Sequence, residues 1–204
     1  MADGFARRKE QSKEDIRKAA WELFSQFGVE KVSIVDIARK AGVSQATIYN
    51  NFGSKDALAR EFVANAVEQL VNSVQDVLLT DKPYWEKMTE FIRFISEMMA
   101  QGKTPGMDIT AFNSSKDLLN DPDLKKVRAS AEEKMLGMLF ALVQEGKKEG
   151  QIRADLSEEA FRLFFKAFME IFPSQQFRQG YYRDPRLIDD VSSLMIYGLS
   201  GGKV

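Results

Sequence analysis

The chain of 204 residues contains neither cysteine nor histidine. Without thiols there is no disulfide framework, no thiolate nucleophile and no Cys-based zinc site; without imidazole there is no Ser-His-Asp triad and no His metal ligand. Carboxylates remain for acid-base work, but no spacing singles out Asp108, Asp117 or the acids near Asp121 as a catalytic pair. We therefore assign no catalytic residue, no metal site and no cofactor, and do not expect an enzyme. Long apolar runs are missing as well. The longest, Met135–Val143, has nine residues, about half of the ~20 needed to cross a bilayer. Met1–Gln11 is polar and lacks the apolar centre of a secretion signal, so the expectation is a cytoplasmic protein with no membrane partner.

Net charge is also scarce, at −1 for the whole chain, and DNA affinity is dominated by neutralised phosphates. The average hides an asymmetry. Residues 1–60 carry eleven Lys and Arg against eight Asp and Glu, a net of +3, which leaves −4 on the remainder. Arg7, Arg8 and Lys9 fall in this segment and read either as a flexible DNA-following arm or as a solvated tail. Hydrophobic residues make up 44% and charged residues 29%, the balance of a globular chain with a sizeable core.

The apolar pattern is helical throughout, with no convincing period-two strand. Ile16, Ala19, Ala20, Leu23, Phe24 and Phe27 lie on one helical face, with Ser12 and Asp15 spaced as a capping box and Gly28 as a terminator. Ser33 and Asp36 repeat the start signal, Ile34, Ile37, Ala38 and Ala41 form a short stripe, and Gly42 ends it. Ser44 caps a third helix, with Val43 and Ile48 spaced as a hydrophobic staple. Ser54 opens a long fourth helix that must stop before Pro83. Further helices are predicted over Tyr84–Ala100, over Met107–Leu119, from Asp121-Pro122 to before Gly150, from Ser157 to Pro173, and from Asp184-Pro185 to about Tyr197.

Two short helices joined by a Gly-containing turn are the helix-turn-helix layout, whose second helix presents its first turn to the major groove. Ser33 and Ser44 start helices, so their hydroxyls and the free backbone N–H groups beside them can face phosphates; a cap alone is the plainer alternative. Gln45, Ala46 and Thr47 form the first turn of the second helix. Gln can pair with adenine, and Ala or a Thr methyl can touch thymine, unless the glutamine is merely solvated.

The stretch Ile16–Phe62, with Phe24, Gly28, Ser33, Ile37, Ala38, Ala41-Gly42-Val43-Ser44, Thr47, Tyr49, Phe52 and Ser54-Lys55, closely resembles the DNA-binding domain of the TetR family. The resemblance implies phosphate contacts from Ser33, Tyr49, Asn50 and Lys55; half-buried packing for Tyr49 and simple exposure for Lys55 stay open. The chain departs from the commonest family pattern at Gln45, often Lys, and at Asn50-Asn51, often His-Tyr, which leaves the operator sequence undefined.

The expected architecture is all-α: a helix-turn-helix domain over 1–53, with the arm at about 1–11, followed by a helical effector-binding and dimerisation domain over 54–204. The expected partners are a palindromic operator in double-stranded DNA, a second copy of the chain, and a small apolar or aromatic effector. Trp85, Phe94, Met98, Phe112, Phe140, Phe164 and Phe168 are the candidate effector contacts, in segments rich in aromatics and adaptable Met. One recognition helix reads few base pairs, so a homodimer is expected; the resemblance implies that the last two long helices join it, with Phe161, Phe164, Phe165, Phe168, Leu187, Val191, Leu194 and Met195, unless this apolar surface closes the protomer's own core. The resemblance implies repression relieved by the effector; the alternative is a helical small-molecule-binding protein without DNA-binding activity.

Overall fold

Helices form wherever the stripe, cap and terminator agree. The computed structural model describes residues 2–101, 103–104, 107–108, 118, 120–171, 175–187, 189–191 and 193–194. The fold is all-α, with α1 Ala2–Phe27, α2 Ile34–Ala41, α3 Gln45–Phe52, α4 Lys55–Leu78, α5 Tyr84–Gln101, α6 Pro122–Lys148, α7 Glu158–Ile171 and α8 Gln175–Arg183. Residue 187, residues 189–191, and residues 193 and 194 are also helical. This agrees with the Asp184-Pro185 start; Tyr197 lies outside the described residues, as does Pro173.

Three expectations are corrected. First, α1 starts at Ala2, ten residues before the Ser12 signal, and residues 6–11 are exposed helix where a flexible arm was expected. The preceding residues are mostly good helix formers, and Gln11 donates to Asp15 Oδ1 at 3.0 Å, so Asp15 is engaged within a running helix. Second, Met107–Asp108 is extended and pairs antiparallel with Lys103–Thr104, where a helix from Met107 was expected. The Pro105-Gly106 sequence between the pairs is turn-forming; residues 109–117 and 119 lie outside the described residues. Third, α8 was not foreseen, because QQFRQGYYR offers a weak stripe with a glycine inside it.

The chain divides into two compact units, residues 1–70 with 102–131, and residues 71–101 with 132–204. The first is built round Ile16, Phe24, Ile37, Ile48, Leu58, Phe62 and Val63, with Leu118 and Leu124 joining the same cluster. Trp21 and Phe24 both meet the Phe62 ring edge-on, with centroids 4.8 and 5.3 Å away. Arg60 pairs with Asp121 at 3.4 Å, and Asp121 Oδ1 caps α6 by accepting from the N–H groups of Asp123 and Leu124, both at 3.0 Å. These bonds, the Leu124 N–H first, hold the Asp121 carboxyl below the usual range.

In the second unit α5 lies against α6. Lys87 is 5% exposed and donates to Glu145 at 2.7 Å, and the Tyr84 N–H donates to Glu149 at 3.1 Å. Burial pushes the Tyr84 phenol up to about 12. Gly146 is required here: a Cβ would sit 2.8 Å from the Tyr84 ring. Ser157 caps α7 by accepting from the Ala160 N–H at 3.1 Å, and Phe140, Phe161 and Phe165 form a run of rings with 5.7 Å between successive centroids.

Candidate nucleic-acid interface

The start of α2 is a reciprocal box. Ser33 Oγ accepts from the Asp36 N–H at 3.2 Å, and the Asp36 carboxylate accepts from both the Ser33 N–H and its hydroxyl. The hydroxyl bond first, then the N–H, hold the Asp36 carboxyl below the ordinary aspartate range. Its contribution is complete above the unfolded pKa of about 3.9 and is lost as pH falls through the lower folded value. Ser33→Ala should lower unfolding free energy by about 0.5–2 kcal/mol, read as a reduced urea midpoint; an unchanged midpoint would show the box to be idle.

Between the helices, Gly42 takes φ +68° and its N–H reaches the Ala38 and Arg39 carbonyls, while the Val43 N–H donates back to Ala38 at 3.0 Å. A residue with a Cβ would be strained in this left-handed conformation. Ser44 then caps α3, accepting from the Thr47 N–H at 3.1 Å, with the two hydroxyls 2.8 Å apart. Ile48 is completely buried and Val43 packs against the same core, as the staple spacing requires. Ser54 caps α4 through the Ala57 N–H at 3.0 Å, which places Lys55 at its first position.

With Ile48 turned inward, the opposite side of α3 is open. Ser33, Ser44, Gln45, Ala46, Tyr49 and Asn50 are exposed, Thr47 and Lys55 are half-buried, and Tyr49 is 50% exposed. Asn51 donates instead to the Thr47 carbonyl at 2.8 Å, which ties its amide to its own helix. Arg17 stands over Phe52 at 5.6 Å and pairs with Glu61, bracing the end of α3. The reading from sequence missed the hold of Asp36 on the Ser33 hydroxyl. That proton is engaged, so the first-turn N–H groups of Ile34 and Val35 are the freer donors at this helix end. It also missed Val35, a β-branched side chain left exposed on the first turn of α2.

Of the candidate effector contacts, Phe94, Met98 and Phe140 are half-buried, whereas Trp85 is 56% and Phe164 47% exposed. Phe112 and the Phe168 side chain lie outside the described residues. Of the expected dimer residues, Phe161 and Phe165 are buried within their own protomer, while Phe164 and Leu194 are exposed and Leu187 and Val191 half-buried; Met195 lies outside the described residues, and Leu163, which was not among those expected, is exposed beside Phe164 in the chain. The two buried phenylalanines close the protomer's own core, a split that helical period alone does not reveal. Among the described residues no helix is long and apolar enough to cross a membrane.

A capped helix, a left-handed glycine turn and a second capped helix with an open first turn define a helix-turn-helix DNA-binding head. Residues 16–62 match the profile of the bacterial regulatory proteins of the tetR family. The chain is 38% identical over 72 residues to YvdT of Bacillus subtilis, an HTH-type transcriptional regulator, a match that spans 35% of this chain and 37% of YvdT. It is 23% identical over 154 residues to the HTH-type transcriptional repressor KstR2 of Mycolicibacterium smegmatis, covering 76% of this chain and 74% of KstR2. The fold resembles that of the regulator FadR of Bacillus subtilis, solved in complex with stearoyl-CoA, with a TM-score of 0.62 at 20% identity over 91% of this chain and 98% of FadR. Residues 16–62 therefore form a helix-turn-helix DNA-binding domain of the tetR type, and the proteins that the chain resembles are HTH-type transcriptional regulators.

Proposed function

We propose that the chain is a homodimeric, cytoplasmic repressor that holds a palindromic operator and releases it when a small apolar effector binds. The observation that carries this reading is the asymmetry of α3: Ile48 is fully buried while Gln45, Ala46, Tyr49 and Asn50 are exposed. We assign DNA reading to residues 1–53, and effector binding and dimerisation to 54–204. Gln45, Ala46 and Thr47 read base edges; Ser44, Tyr49, Asn50 and Lys55 hold the backbone, as does the helix end capped by Ser33, through its first-turn N–H groups. Leu163, Phe164 and Leu194 supply exposed apolar surface for a second copy. Effector contact is assigned to Trp85, Phe94, Met98, Phe112, Phe140, Phe164 and Phe168. Stearoyl-CoA, the ligand of FadR, carries a long apolar chain, and an effector of that character suits these side chains. Release requires only that the effector bind the DNA-incompetent state more tightly than the competent one.

Selection of duplexes from a random pool by the purified chain tests the proposal. A recovered palindrome with half-sites about a helical turn or more apart is the expected result; a pool without enrichment or symmetry refutes it. On the selected duplex, Gln45→Ala should relax preference at one base pair by about 1–3 kcal/mol. Tyr49→Ala should weaken binding to every sequence alike, by about 1.5–3 kcal/mol for a lost hydrogen bond to a charged phosphate. Mobility shifts on single-base variants separate these two patterns, and parental affinity in both variants would remove α3 from the interface.

A further inference from the structure

The first unit carries an open groove of about 420 Å³ between the C-terminal end of α1 and α2. Its apolar lining is Leu23, Phe27 and Val32; its charged lining is Lys31, Arg39, Lys40 and Asp36. Leu23 and Phe27 continue the stripe of Ile16, Ala20 and Phe24 but lie at its edge: Leu23 is half-buried and packs against the core, and Phe27 is 49% exposed.

The cations are unevenly satisfied. Lys40 pairs with Glu22 at 2.7 Å. Arg39 reaches Asp36 only at 3.4 Å, and that carboxylate already accepts from Ser33. Among the described residues none forms an ion pair with Lys31, so Lys31 and Arg39 are the cations left to an incoming anion. An occupant must therefore be acidic at its edges and apolar at its centre. A DNA backbone would meet the cations but leave the Phe27 ring without a partner. A small ligand in so open a groove would stay largely wet, whereas binding pockets bury most of their ligand. A protein helix supplies its own cover, with apolar side chains at helical spacing and carboxylates beside them.

We propose that this groove docks an acidic amphipathic helix of a partner protein, with apolar side chains seated on Leu23 and Phe27 above the buried Val32 and carboxylates placed against Lys31 and Arg39. The docking stands on the groove alone and does not depend on any DNA contact. Its consequence reaches the α2 box, because an occupant that draws Arg39 away leaves Asp36 held by Ser33 alone.

The test uses the full chain and a fluorescein-labelled, stapled helical peptide with leucines at i, i+3, i+4 and i+7 flanked by glutamates, read by anisotropy. Saturable binding is expected, about tenfold or more weaker for the same peptide with lysines in place of glutamates, and about tenfold or more weaker for Lys31→Glu/Arg39→Glu and for Phe27→Ser. Lys82→Glu, in the other unit, should change nothing. All these positions are exposed, so far-UV circular dichroism should match the parent. Four outcomes overturn the proposal: no saturable binding; equal binding of the lysine peptide; indifference to the groove variants; or displacement of the peptide by random-sequence duplex with the same variant dependence, which would make the groove a nucleic-acid contact. A change of sedimentation state in Phe27→Ser without loss of peptide binding also overturns it, by assigning the groove to a second copy.

Discussion

Phe24→Ala is expected to lower the unfolding free energy by about 3–5 kcal/mol, the range for truncating a fully buried aromatic ring. Phe24 has no exposed surface and meets Phe62 edge-on in the cluster that also holds Ile37 and Ile48. The truncation removes the transfer energy of the ring, leaves a cavity that neighbours on α1 and α4 fill only in part, and deletes one aromatic pair. Because Ile48 fixes α3 in that same cluster, operator affinity should fall together with stability. Urea unfolding followed by circular dichroism, with a mobility shift on the selected duplex, measures both. A loss under about 1 kcal/mol, well below the range for such truncations, would mean that this ring does not organise the head.

The second large effect concerns Lys87, the one buried charged side chain among the described residues. Glu145→Ala leaves the ammonium without its carboxylate and is expected to cost about 3 kcal/mol, the lower end for breaking a buried pair, since Glu145 itself is 42% exposed and water can reach part of the site. Lys87→Met combined with Glu145→Ala should recover most of that loss, because an apolar side chain of similar length has no charge to strand. Comparison of the urea midpoints of the single and double variants decides. If the double variant were as unstable as Glu145→Ala alone, the loss would lie in packing and not in an unpaired charge.

What was legible in the sequence was what is decided over three or four residues. Ser33, Ser44, Ser54, Asp121 and Ser157 each cap the helix that their spacing predicted, because a cap needs only its own first turn. The inward Ile48 and the outward Gln45–Asn50 face follow from the same short-range geometry. Ser12 shows the limit: its spacing to Asp15 is right, but helix-forming residues before it carry α1 past the signal. Depth is a second limit. Helical period puts Leu23, Phe24 and Phe27 on one face, yet only the packed structure shows that burial is complete at Phe24 and lost by Phe27, or that Phe161 and Phe165 belong to the protomer while Phe164 faces out. The basic-apolar groove had no signal in the chain, since it arises from the end of α1 meeting residues of α2 and the loop between them.

The empty position at Gly146 works as a spacer gauge. Two helices can approach to the thickness of an aromatic ring only while nothing projects from that point, so the size of residue 84 and the size of residue 146 are one quantity shared between two sites. Alanine at 146 should be tolerated when the ring at 84 is trimmed and rejected when it is kept, and natural variation at the two sites should move in opposite directions.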